Sequence, residues 1–287
     1  MRPSCPGPAH CGRWLGTRFA LLGGAGLYQD GFLRDVLQRY AEFLARRHGP
    51  AHRRRTADRW AAFLRPHLHS EMLILDIGCG PGSITSGLPG RVIGLDVDPV
   101  AIDGVPVVGA EGSCLPFPDS TFDAIFMNAV LQHVADAHAV LREVRRVACP
   151  SAVIGIGDTD WGTRVMHPHN PWIARGQEIQ ELARTTGNVR VGRELRGLLE
   201  SVGLDGVHID VEGRVLASEP EIGQMAAFEG SWFEAPEAVA FVAGLGLSNA
   251  DEMAKIAEAW KAWSHDPSAL VADAWFTALG WAPQRDH

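Results

Sequence analysis

Glycines stand at 78, 80 and 82 in the stretch LDIGCGPGS, which runs from Leu75 to Ser83 directly behind an apolar run. Glycine loses more backbone freedom on folding than any other residue. Such a cluster is therefore costly unless the main chain must turn sharply or let a ligand approach it. Asp76 precedes the loop, where a pyrophosphate would be repelled and a cationic ligand tolerated. The spacing is G-x-G-x-G, and Ser83 stands where the dinucleotide fingerprint has its third glycine. Asp96 closes the next apolar run twenty residues past Asp76, and an acid there can accept hydrogen bonds from the hydroxyls of a ribose. Glu111 opens EGSCLPFPDSTFDAIFMNAVLQHV (111–134) and can accept from an adenine amino group. This set points to a nucleoside ligand and disfavours an NAD-dependent oxidoreductase.

Groups suited to proton transfer follow. His133 lies one turn beyond the apolar run 122–128, and its ordinary titration range suits a general base; packing under the loop is the competing account. Asp158 and Asp160 stand in GDTDWG. They either take a proton, orient His133 or bind a substrate amine, or else cap a turn. His167 and His169 converge poorly around Pro168 and find no third ligand, so no metal site is expected.

Elements must position these residues. The spacing predicts helices over 30–47, ended by Gly49-Pro50, and over 56–68. Strands are predicted at 72–78, 91–98, 105–110, 122–128, 151–158 and 206–211, with helices at 138–148 and 192–202 and a helix expected directly after the glycine loop. Helices at 237–246 and 251–263 precede a last strand at 273–283. Strands alternating with helices imply a doubly wound, Rossmann-like α/β fold. The expectation is a seven-stranded, mostly parallel sheet with an antiparallel last strand and a helical cap. Residues 1–29 are expected to form a poorly ordered arm and 30–70 a lid of N-terminal helices. The core is expected over 71–218, an inserted cap over 219–272, and the final strand and tail over 273–287.

The ordered set of Asp76, the glycines, Asp96, Glu111, LPF, FD and VLQHVADAHAVLREVRRVACPSAVIGIGDTDWG (130–162) resembles the class I S-adenosylmethionine-dependent methyltransferases of the UbiE-like branch, also called methyltransferase type 11. The resemblance covers roughly 50–212. It implies S-adenosylmethionine as cofactor and S-adenosylhomocysteine as product, held by Asp76, Gly78, Gly80, Asp96 and Glu111. Val97, Gly112 and Asn128 are counted with that set, and His133, Asp158 and Asp160 are the catalytic candidates. Glu111 replaces the usual Asp, and Ser151-Ala152 replaces the usual Gly-Gly. The implied activity is direct methyl transfer to O, N or C of a small molecule, in natural-product or quinone-like metabolism. The alternative is a methyltransferase-fold cyclase or binding protein that holds the cofactor without transferring methyl.

Composition bounds the partners. The 287 residues carry a net charge of −8, with 46% hydrophobic and 21% charged residues, which suits a globular protein and implies no nucleic-acid surface. RRHGPAHRRR (46–55) is expected to be a solvated turn. Five scattered cysteines support neither a disulfide framework nor a zinc site and fit a reducing cytoplasm. No run reaches the ~20 apolar residues of a membrane span. The oligomeric state has no signature in the sequence.

Overall fold

The computed structural model describes residues 31–184 and 186–284; the expected arm at 1–29 lies outside the described residues. The chain divides into two compact units. The sheet unit comprises His48–Thr163, Gly187–Gly213 and the chain from Ala274. The helical unit comprises the chain up to Arg47, Arg164–Thr186 and Arg214–Asp273.

In the sheet unit, β1 (Leu73–Ile77) pairs parallel with β2 (Arg91–Asp96) on one side and with β4 (Phe122–Asn128) on the other. The short β3 (Val107–Gly109) extends the β2 edge, and β5 (Ala148–Thr159) extends β4, both parallel. β8 (Leu270–Trp281) then runs antiparallel to β5, and β7 (Asp205–Leu216) pairs with β8. Strand order reverses at β1, so a crevice opens at the carboxyl ends of β1 and β4. β1 and β4 are apolar on both faces because both faces are covered. Leu75, Ile77, Ile125, Met127, Ile154 and Ile156 pack on one side with helix α3 (Ala137–Val147) and helix α5 (Leu195–Ser201). Ile74, Ala124, Phe126 and Val153 pack on the other, with Ala57, Ala61 and Leu64. This alternation is the two-residue period of a strand.

Two sequence expectations change here. No α-helix follows the glycine loop. Residues 78–90 contain only a 3₁₀ turn, Thr85–Gly87, before β2 begins. Pro81, Pro89 and five glycines in those residues remove donors and backbone restraint that a helix requires. Between β2 and β3 the chain likewise bends through Pro99, Gly104 and Pro106, with only an isolated bridge between Ile102 and Val105. The expected helix at 56–68 is reduced to α2 (Ala57–Trp60) and a 3₁₀ turn at Arg65–His67. Pro66 has no N–H with which to continue it.

The helical unit gathers α1 (Gly31–His52) up to Arg47, α4 (Pro171–Leu182), α6 (Glu219–Glu234), α7 (Pro236–Gly244) and α8 (Ala250–Trp263). A short strand, β6 (Val165–His167), pairs antiparallel with the first residues of β8. β6 and α4 were not read from the sequence, and α1 continues past Gly49-Pro50 to His52. The unit has its own core, in which Trp260, Phe233, Met253, Ile256 and Val242 are buried. Arg47 is not solvated: its guanidinium lies 3.8 Å from the centre of the Phe228 ring and donates to Phe228 O.

Candidate active site

The glycine loop turns through three left-handed residues, Gly78 (φ +73°), Gly80 (φ +51°) and Gly82 (φ +79°), a conformation that L side chains resist. Its main chain is pinned to the end of β2. Gly78 N and Cys79 N donate to Leu95 O at 2.7 and 3.1 Å, and Gly80 N donates to Asp96 Oδ2 at 2.9 Å. A Cβ on Gly78 would strike Val130 and one on Gly82 would strike Ile102, whereas one on Gly80 would meet nothing within 4 Å. The main chain at Gly80 is therefore open to a ligand.

Asp76 lies behind this loop, buried, and accepts a 2.6 Å hydrogen bond from Thr85 Oγ1. Burial pushes its pKa up to about 7; the Thr85 hydroxyl pulls the other way and the charge of Asp96 adds to the rise. Cys79 is pushed up to about 12 by burial and by Asp76 and Asp96, so its thiol is no nucleophile. Asp96 also accepts from Asp98 N at 3.0 Å, and its carboxylate retains lone pairs for further donors. Val97 beside it is 46% exposed, an apolar surface at the crevice rim. β3 brings in the next acid: Ala110 N donates to Asp96 O at 3.1 Å, so Glu111 leaves the sheet beside Asp96. Glu111 accepts from Ser113 Oγ at 3.3 Å. Gly112 is close enough to the core that a Cβ would stand 3.3 Å from Val140.

At the ends of β4 and β5, Asn128 is buried and neither amide atom has a hydrogen-bond partner. Ala129 follows in the left-handed region at φ +60° and donates to Gly157 O at 2.8 Å. His133 is exposed on the 3₁₀ turn Leu131–His133. Asp158 holds that turn from below: fully buried, it accepts from Gln132 N at 3.2 Å and from Thr159 N at 2.9 Å. Asp160 is also buried. It accepts from Gly162 N and from Arg193 Nη2, both at 2.9 Å, and Arg193 Nε completes a two-point ion pair.

Sequence reasoning missed three partners. Thr85 lies 9 residues from Asp76, Arg193 lies 33 from Asp160, and Gly187, where a Cβ would meet Gln132 O, is farther still from the group it meets; no motif announces them. Among the described residues, no group of three or more His, Cys, Asp or Glu is placed to hold a metal ion.

Residues 75–156, from β1 into β5, match the family described as Methyltransferase domain. An uncharacterized methyltransferase of Schizosaccharomyces pombe is 29% identical over 172 residues, covering 51% of this chain and 61% of that protein. A demethylmenaquinone methyltransferase of Lactobacillus johnsonii is 31% identical over 123 residues, covering 36% of this chain and 48% of that protein. The chain spans about half the length of the curated relatives it matches. Among solved structures, a Bacillus halodurans protein, named provisionally as a methyltransferase, aligns with a TM-score of 0.51 at 12% identity. That alignment covers 79% of this chain and 100% of that one, a likeness of fold.

Proposed function

We propose that this chain, which carries a class I S-adenosylmethionine-dependent methyltransferase domain of the UbiE-like type, moves a methyl group directly onto an O, N or C atom of a small molecule. S-adenosylmethionine is the cofactor of that domain type, and when bound it supplies a methyl group activated by its sulfonium. The observation that carries the reading is the glycine loop. A loop of three left-handed glycines is fastened to Leu95 O through Gly78 N and to Asp96 through Gly80 N, and the space a side chain would fill at Gly80 is left open. The donor set suits the group: carboxylates and a bare main chain accommodate a cationic adenosyl ligand.

In this reading Asp96 accepts from the ribose hydroxyls, Val97 supplies an apolar surface to the adenine, and Glu111 with Gly112 meets the adenine edge. Gly78 and Gly80 admit the amino-acid end, with Asp76 behind them. The protein's own contribution to rate is alignment of the acceptor and removal of its proton. His133, exposed on a turn fixed by Asp158, takes that proton and passes it to water. Asp160 is committed to Arg193 and the main chain, so it holds the loop after β5 rather than serving as base.

The proposed acceptor is a small molecule of natural-product or quinone-like metabolism, with neither nucleic acid nor membrane as partner. The likeness to the demethylmenaquinone methyltransferase of Lactobacillus johnsonii supports the quinone-like case. No helix among the described residues is long and apolar enough to cross a membrane. Cys79 is a buried free thiol, which supports a cytoplasmic setting. Calorimetry with S-adenosylhomocysteine and with NAD tests the cofactor, and release of S-adenosylhomocysteine over a metabolite panel tests the transfer. Binding of NAD without binding of the homocysteine overturns the proposal. Product formed without homocysteine release points instead to a methyltransferase-fold cyclase.

A further inference from the structure

Asn128 is 7% exposed, and neither its Nδ2 nor its Oδ1 has a hydrogen-bond partner. A buried polar atom left without a partner is destabilising, so a side chain that leaves both unmet is kept for something that arrives later. Its position says what. The pairing of β4 with β5 sets Asn128 opposite Gly157. A Cβ on Gly157 would stand 3.0 Å from Asn128 Oδ1 and 3.0 Å from Trp275 Nε1. The amide thus leans toward the ends of β5 and β8, on the side of β4 away from β1 and its glycine loop. The missing side chain at 157 leaves room for amide and indole to stand together. Trp275 is steadied by Trp60, edge-on at 5.0 Å between ring centres, and the Arg55 guanidinium lies 4.7 Å from the centre of the Trp60 ring.

We propose that Asn128 and Trp275 form the acceptor subsite, and that Asn128 positions the acceptor rather than binding the cofactor. The subsite takes a flat ring that carries a hydrogen-bonding oxygen or nitrogen beside the atom to be methylated. The ring lies against Trp275, and the amide, which offers both donors and an acceptor, meets the neighbouring group. This rests on the methyltransferase reading. It departs from the expectation that Asn128 belongs with the cofactor residues. Gly157 is part of the same device, since any side chain there would displace the amide.

Three variants test it. Asn128→Leu keeps the branched outline of four heavy atoms, though it is bulkier, and removes the unmet amide; Asn128→Ser and Gly157→Ala are independent checks. Asn128→Leu is expected to melt a few degrees higher than the wild type, the signature of a group retained for binding rather than folding. All three should bind S-adenosylhomocysteine within about threefold of wild type, a tolerance set well inside a tenfold change in Kd. The wild type loaded with S-adenosylhomocysteine should bind 2,3-dihydroxynaphthalene at least about tenfold tighter than 2-naphthol, which lacks the adjacent hydroxyl. The variants should lose that preference. A tenfold loss of S-adenosylhomocysteine affinity in Asn128→Leu and Asn128→Ser returns Asn128 to the cofactor and overturns the proposal. A wild type that treats the two naphthols alike overturns the ligand class. Failure of the wild type to bind S-adenosylhomocysteine is a separate result and defeats the methyltransferase reading itself.

Discussion

Asp76 and Asp160 are both buried acids with different neighbours. Asp160 meets the Arg193 guanidinium at two points and a backbone N–H. Asp76 has a hydroxyl donor and another carboxylate for neighbours, and its pKa rises from 3.8 to about 7. Between those two values the folded protein keeps a proton that the unfolded chain releases. Stability from this group is complete below about pH 3.8 and is lost as pH rises through about 7. Asp76→Asn, uncharged and nearly isosteric, removes the dependence. In urea unfolding at pH 5 and pH 8, the wild type is expected to lose on the order of 2–3 kcal/mol more than the variant. Equal losses would show that Asp76 ionises freely in the fold. The same pair marks how far residues were legible. The order of acids and glycines pointed to the crevice, but Arg193 stands 33 residues from Asp160, and only folding reveals which acid is neutralised.

The elements divide in the same way. β4 was legible to the residue as Phe122–Asn128, and α3 and α8 to within one residue at each end, because continuous apolar runs and strong helical periodicity tolerate one solution. The absent helix after the glycine loop was not. The strand and the glycines imposed the expectation, and the weight of Pro81, Pro89, Gly87 and Gly90 between β1 and β2 overrode it. β6 was hidden because three residues carry no period, and it forms only by pairing with β8. A further element was legible only at its end: of the segment from Gly187 to Glu194, which spans the ends of β4 and β5, the helix expected at 192–202 reached only the last three residues, and these form a 3₁₀ turn. A Cβ on Gly187 would collide with Gln132 O and stand 3.0 Å from His133 Cα. Farther along, Val189 O accepts from Trp161 N at 2.9 Å and Arg193 grips Asp160. The segment therefore presses the His133 turn from above while Asp158 holds it from below. Gly187 adopts φ +88°, so Gly187→Ala meets both strain and collision. The expected cost is about 1–3 kcal/mol in urea unfolding. Turnover should fall further than affinity for S-adenosylhomocysteine, because the moved group is His133 and not the glycine loop. Equal losses in both would mean that the segment supports the cofactor crevice instead.

At the scale of the whole molecule, two cores divide the labour. Every residue proposed for the cofactor crevice, from Asp76 to Gly112, lies in the sheet unit, as do Asn128, His133, Asp158 and Asp160. The helical unit is assembled from three separated stretches of chain, and α1 joins it through Tyr40, which stacks on Phe241 at 4.0 Å between ring centres. Such assembly is invisible to local periodicity, which showed the helices one by one without showing which of them share a core. Trp260 tests the division. It is fully buried in the helical unit's core, yet its indole N–H has no partner. Trp260→Ala leaves a large cavity and is expected to cost about 3–5 kcal/mol. Trp260→Phe keeps most of the ring and removes the unmet donor, so its cost should be much smaller. Neither change touches a cofactor residue. Affinity for S-adenosylhomocysteine, read by calorimetry well below the melting transition, should therefore stay within about threefold of wild type in both, short of a tenfold change in Kd. A tenfold loss of affinity in Trp260→Ala at a temperature where the variant remains folded would show that the helical core sets the shape of the crevice, and that cofactor binding belongs to both units together.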